Sequence, residues 1–193
     1  MMQPPPPQSV RHDGGSTWIV VVLAIAGGLI LVVGILATLA IVGVRRYLNN
    51  AKSAEARIDL GGIALATTSS FEREDVTTGT FTHQLCSSAT VPVPKNERAV
   101  SAKKYQSSSS DWMVDAPNGG FACLKFEMSE PQYYQLKYTR TGTGSKVGDS
   151  FIAEARGDLD GNGVFSSFTL GGHVMAGDLV MQDPSIKETN PDE

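Results

Sequence analysis

From Trp18 to Val44 the chain has no charged side chain, and only Thr38 interrupts a run of Val, Ile, Leu, Ala and Gly. As a helix this stretch spans roughly 40 Å, more than the ~30 Å hydrocarbon core of a bilayer. It predicts a transmembrane segment over 17–44, with length to spare for tilt. The run exceeds the ~7–15 apolar residues of a secretory signal core. The residues before it carry only Arg11 and His12 against Asp13, so the anchor is expected to stay.

The helical pattern continues past the span, over 45–75. Tyr47, Leu48, Ala51, Ala54, Ala56, Ile58, Leu60, Ile63 and Leu65 form an apolar stripe at near-helical spacing, with Lys52, Glu55, Arg57 and Asp59 mostly off it. Gly61-Gly62 weakens a helix by about 1 kcal/mol per glycine, which predicts either a bend or close packing against the rest of the fold. Before the span, 1–16 opens on Pro4-Pro5-Pro6-Pro7 and reads as a disordered polar tail.

Beyond residue 75 the texture changes to β and turn. Val91-Pro92-Val93-Pro94 predicts an extended loop and Ser107 to Ser110 a polar one. Phe121 to Met128 nearly alternates and predicts a half-buried strand. Tyr133 to Arg140, Ser150 to Gly157 and Val164 to Gly171 predict three more, split by glycine-rich turns. Short sequential strands favour an antiparallel sheet. The expected fold class is α+β: a long N-terminal helix packed on a small sheet that forms a head over 76–183, followed by a polar C-terminal tail at 184–193.

Composition changes the picture in two ways. The net charge is −4 over 193 residues, which offers no basic face for nucleic acid. Cys86 and Cys123, in so small a head, suggest one disulfide and an oxidising compartment; two free buried thiols are the alternative. Charge placement points the other way. Arg45, Arg46, Lys52 and Arg57 follow the span while Arg11 precedes it, which by the positive-inside rule alone would leave the head in the cytoplasm.

The segment Gly34-Ile35-Leu36-Ala37-Thr38-Leu39-Ala40-Ile41, followed by Arg45 to Ala56 and Leu60-Gly61-Gly62-Ile63, resembles the N-terminal helix of type IV pilins and type II secretion pseudopilins. Ala122 to Phe126, Pro131 to Gln135 and Gly157 to Gly163 leading into Phe165 to Phe168 resemble pilin-like heads of the myxobacterial kind. The resemblance implies a pilin-like fold, other pilin or pseudopilin subunits and the lipid bilayer as partners, and a bacterial inner-membrane location with the head in the periplasm. The departures are specific. In register with the family, Val20 stands at the leader-peptidase glycine, Ile25 at the glutamate that follows it and Val42 at the helix-kinking proline. A carboxylate inside the bilayer is costly unless paired, so its absence removes both that cost and a family assembly contact. The expectation is an uncleaved accessory subunit of a pilus or secretion filament. The alternative is a stand-alone membrane-anchored binding module of the same shape.

Candidate chemistry is sparse. Asp158, Asp160 and Asn162 sit at alternate positions with Gly161 and Gly163, spacing that could give three oxygens to a calcium ion. Thr169 stands where an EF-hand would place its bidentate glutamate, so a plain turn between strands competes. No other cofactor is implied. His12, His83 and His173 are scattered without metal-ligand spacing. Gly142-Thr143-Gly144-Ser145-Lys146 lacks the spacing of a phosphate loop, and no serine has a nucleophile-elbow setting. The chain is therefore expected not to be an enzyme. Ala24 with Gly28, and Gly34 with Thr38, are small pairs that permit close helix contact in lipid. Trp112, Tyr133, Tyr134 and Tyr138 are read as half-buried sheet aromatics rather than an adhesive surface.

Overall fold

The computed structural model describes residue 3 and residues 14–73, 83–115, 117 and 119–191, with side chains described from Trp18 onward within the first helix. The chain divides into two compact units, Met1–Arg45 and Arg46–Glu193. One helix, α1 (Gly14–Phe71), contributes to both. In the first unit it is the apolar segment, whose side chains are exposed from Trp18 onward. It is long and apolar enough to cross a membrane. The helix includes Gly14 to Ser16 of the stretch 1–16 expected as a disordered tail; residues 1–2 and 4–13 lie outside the described residues.

In the second unit α1 carries one face of a single hydrophobic core. Ala56, Leu60, Ile63, Ala64 and Phe71 are buried together with Phe151, Ala153, Ala155, Phe168, Leu170 and Val174 of the sheet. The apolar stripe foreseen as one face is in fact two. Ala56, Leu60 and Ile63 point into the core, whereas Ile58 and Leu65 are 73% and 67% exposed. Asp59, expected off the stripe, is buried. Gly62 has the role expected of a close-packing glycine: a Cβ there would lie 3.1 Å from the Phe126 ring, and α1 continues through it without a break in its helical assignment. The helix stops at Phe71, where Thr67, Thr68 and Ser70 turn their hydroxyls onto carbonyls one turn back.

The sheet is antiparallel: β1 (Gln135–Thr141), β2 (Ser150–Gly157), β3 (Ser166–Met175) and β4 (Leu179–Gln182) follow in spatial order, and β5 (Lys187–Thr189) also pairs with β3. In β2 and β3 alternate residues face the core, as a one-sided sheet requires. The free edge of β1 is covered by the loop before it: Ala89 N–H donates to Tyr138 O (3.0 Å), and Val93 and Leu136 exchange both backbone bonds. The C-terminal segment expected as a tail, 184–193, contains β5. Arg57 on α1 clamps it, its Nε and Nη2 donating to the two oxygens of Glu188 at 2.7 and 3.0 Å.

Two short helices replace predicted loop and strand. α2 (Ser109–Trp112) falls in the polar stretch read as a loop, and the Asp111 carboxylate accepts from the Ser108 N–H at 2.8 Å, closing its first turn. The segment predicted as a strand over Phe121 to Met128 is α3 (Gly120–Leu124) followed by extended chain. Its end is a Schellman closure: Phe126 N–H bonds Phe121 O, Lys125 N–H bonds Ala122 O, and Lys125 takes φ 54°. The near-alternation misleads because Phe121 and Leu124, three apart, both turn inward, and a run this short suits either period.

Candidate functional site

The outer face of α1, beyond the apolar span, carries an exposed apolar seam. Tyr47, Ala51, Ala54, Ile58, Gly61 and Leu65 are spaced alternately four and three residues apart, which holds them on one side of a helix. Tyr47, Ile58 and Leu65 are each at least two-thirds exposed, and Ala54 is half-buried. A Cβ on Gly61 would touch nothing within 4 Å. The seam thus intersperses large apolar groups with small ones on the side opposite the core. In the apolar segment of the first unit, added Cβ atoms on Gly28 and Gly34 would meet nothing within 4 Å, and the Thr38 hydroxyl donates to Ile35 O at 2.7 Å.

Beside the seam, polar groups fasten α1 to the head. Glu55 accepts from Tyr133 N–H (2.7 Å) and from Lys104 Nζ (3.2 Å), and Lys52 and Lys104 lie 5.0 and 4.5 Å from the Tyr133 ring centre. Asp59 sits one turn after Glu55. Burial, reinforced by the Glu55 charge and opposed by Lys104, pushes its carboxyl up to about 7. Its Oδ2 is buried without a hydrogen-bond partner.

Cys86 and Cys123 form the disulfide, with Cα atoms 5.9 Å apart. It joins the loop that covers β1 to α3, and neither cysteine is free.

The three candidate calcium ligands lie in the turn between β2 and β3, and each already accepts hydrogen bonds within the fold. Asp158 is buried; its Oδ2 accepts from Ser101 Oγ (2.6 Å) and Gly163 N–H (3.2 Å), its Oδ1 from Gly161 N–H (2.7 Å). Desolvation works to raise its carboxyl, but these bonds outweigh it and hold the group below its ordinary value. Asp160 receives the backbone and side-chain N–H groups of Asn162, each at 3.0 Å, and Asn162 Oδ1 receives Val164 N–H at 2.6 Å. These are the bonds of a turn that positions glycines with φ of 79° and 88°. Among the described residues no group of three His, Cys, Asp or Glu side chains is placed to hold a metal.

The remaining sequence candidates fall into structural roles. Gly142 to Lys146 is a turn gathered by Asp149, whose carboxylate accepts from Lys146 N–H (3.0 Å), Gly144 N–H (2.6 Å) and the Thr143 hydroxyl (2.9 Å). The Lys146 amide is the largest influence holding that carboxyl down. Trp112, Tyr134 and Tyr138 are fully buried, which leaves Tyr133 as the one aromatic of that set at the surface. The His83 ring lies tilted against Phe71 with ring centres 5.5 Å apart, His173 lies on the outer face of β3, and His12 lies outside the described residues. Sequence reasoning missed the partition of α1 into two apolar faces. The signal was present in the four-and-three spacing of Tyr47, Ala51, Ala54, Ile58, Gly61 and Leu65.

No family model, curated protein or solved structure matches this chain.

Proposed function

We propose that the protein is a membrane-anchored structural and interaction subunit of the type IV pilin kind, uncleaved, accessory to a pilus or a type II secretion filament. The observation that carries the reading is the two-faced α1: one face is built into the core of a small antiparallel sheet, the other is an exposed apolar seam. Exposed apolar faces of this extent mark interaction sites. In this reading the apolar stretch from Trp18 to Val44 anchors the chain in the bacterial inner membrane, and the seam from Tyr47 to Leu65 packs on a neighbouring subunit's helix. The Cys86–Cys123 bond favours a periplasmic head, against the positive charges that follow the span. Apolar Ile25, standing where the family carries a glutamate, favours an accessory place over that of the main filament subunit.

A photo-crosslinking residue placed at Ile58 or Leu65 in the native membrane tests the reading. Adducts to the helix of another pilin-like subunit are expected from both positions, with none from Lys137 on β1. Equal yields from all three positions, or none from any, would overturn it.

A further inference from the structure

β4 and β5 pair with the same edge of β3, β4 along Gly172 to Met175 and β5 along Ser167 to Thr169. Between them Asp183 N–H donates to Gly171 O at 2.8 Å. Glycine inside a strand forfeits packing and often marks a close approach. Here the approach is by a carboxylate: a Cβ on Gly171 would stand 2.7 Å from Asp183 Oδ2. The bare strand and the split edge leave a notch of about 260 Å³ on the outer face of the sheet, lined chiefly by Ser150, Ile152, Thr169, His173, Asp183 and Lys187. Ile152 pairs with Gly171 across the sheet and Ser150 with His173, so a methyl-bearing side chain lies beside the bare strand with a hydroxyl and an imidazole next to it. Among the described residues, none of the five polar side chains in this lining has a hydrogen bond or ion pair of its own.

We infer that this notch binds a neutral polyhydroxylated ligand, a single saccharide ring, with its hydroxyls on Asp183, Lys187 and His173 and its C–H face on Ile152. The lining carries one carboxylate and one ammonium, so its formal charges cancel. A simple anion would meet Asp183. A divalent cation would meet Lys187 and find one carboxylate and one imidazole, fewer ligands than such ions require. A purely apolar guest would strip water from five polar groups without replacing it. A sugar hydroxyl both donates and accepts, and so satisfies the acceptor Asp183 and the donor Lys187 alike. Ile152, 44% exposed, supplies the apolar contact. The volume lies below the ~300–1,000 Å³ of drug-sized sites, which suits one ring bound weakly. This site is independent of the helix seam.

The full-length, isotopically labelled protein in detergent micelles is titrated with glucose, galactose and N-acetylglucosamine, each alone, and with glycine and inorganic phosphate for comparison. At least one sugar is expected to give saturable amide shifts at Ile152, Gly171 and His173 in the millimolar range. Asp183→Ala is expected to weaken that binding roughly tenfold. Gly171→Ala, which puts a methyl group into the notch, should do the same while amide positions elsewhere in the sheet stay put. Three results would overturn the inference: no saturable shift with any sugar, saturation by glycine or phosphate in place of sugars, or sugar binding indifferent to both variants.

Discussion

Asp59 lies on the buried face of α1, where its Oδ2 has no hydrogen-bond partner. With its carboxyl raised to about 7 from an ordinary 3.8, the folded state holds this proton more tightly than the unfolded chain does. The sign follows. Below about pH 4 both states are protonated and the group takes nothing from stability. As pH rises toward 7 the unfolded state ionises first, and stability falls through that window until the folded carboxyl also ionises. Asp59→Asn removes the slope. Thermal melts are expected to show the variant more stable than the parent at pH 8, by roughly 1–3 kcal/mol, and indistinguishable from it at about pH 3. A stability difference between variant and parent that does not grow between these pH values would contradict the assignment. Arg57 illustrates the opposite case. Its bidentate pair with Glu188 is more than one-third exposed on the arginine side, so solvent screening keeps its worth to about 0.5–1 kcal/mol despite good geometry.

At the scale of elements, the turn after β2 is the piece whose chemistry is most open to a direct check. Five oxygens of Asp158, Asp160 and Asn162 already accept N–H or O–H groups of the fold. Calcium would have to compete with these donors. Millimolar calcium is therefore expected to leave the melting temperature where it is, and a saturable rise abolished by Asp160→Ala would reveal a site instead. Elements differed in how far the sequence disclosed them, and the reason is physical. β2 alternates strictly because one of its faces is buried, and its bounds are those its pattern implies. β1 is legible in part: expected over Tyr133 to Arg140, it runs from Gln135 to Thr141 with burial that alternates over only part of its length. β4 and β5 lie at the sheet edge with mostly exposed side chains, so no periodic burial marks them. α3 is fixed by constraints that hydrophobic alternation does not carry: the disulfide that ties Cys123 to Cys86, and Gly120 at φ 52° where a Cβ would strike the Asp115 carboxylate. The apolar length of α1 was plain, whereas its two faces were merged because small residues such as Ala54 and Ala56 do not declare which side they serve. The notch over Gly171 left only a double glycine as its signal.

For the whole molecule, the disulfide and the long helix decide how the parts are held. The bond closes a loop spanning 37 residues, which in the chain-entropy picture contributes about 3–4 kcal/mol by restricting the unfolded chain. The double variant Cys86→Ala, Cys123→Ala is expected to lose most of that in denaturant titrations of the head, and a loss under ~1 kcal/mol would show that packing alone suffices. The proposed function rests on one helix that continues from the apolar segment into the head, buries one face in its core and leaves an apolar seam exposed. Amide hydrogen exchange of the full chain in lipid bilayers tests this most directly. The account predicts contiguous protection from Trp18 through Phe71, with seam residues such as Ile58 as slow as core residues such as Leu60. A rapidly exchanging stretch between Val44 and Ser53 would contradict it, because the apolar segment and the helix of the head would then be two elements rather than one.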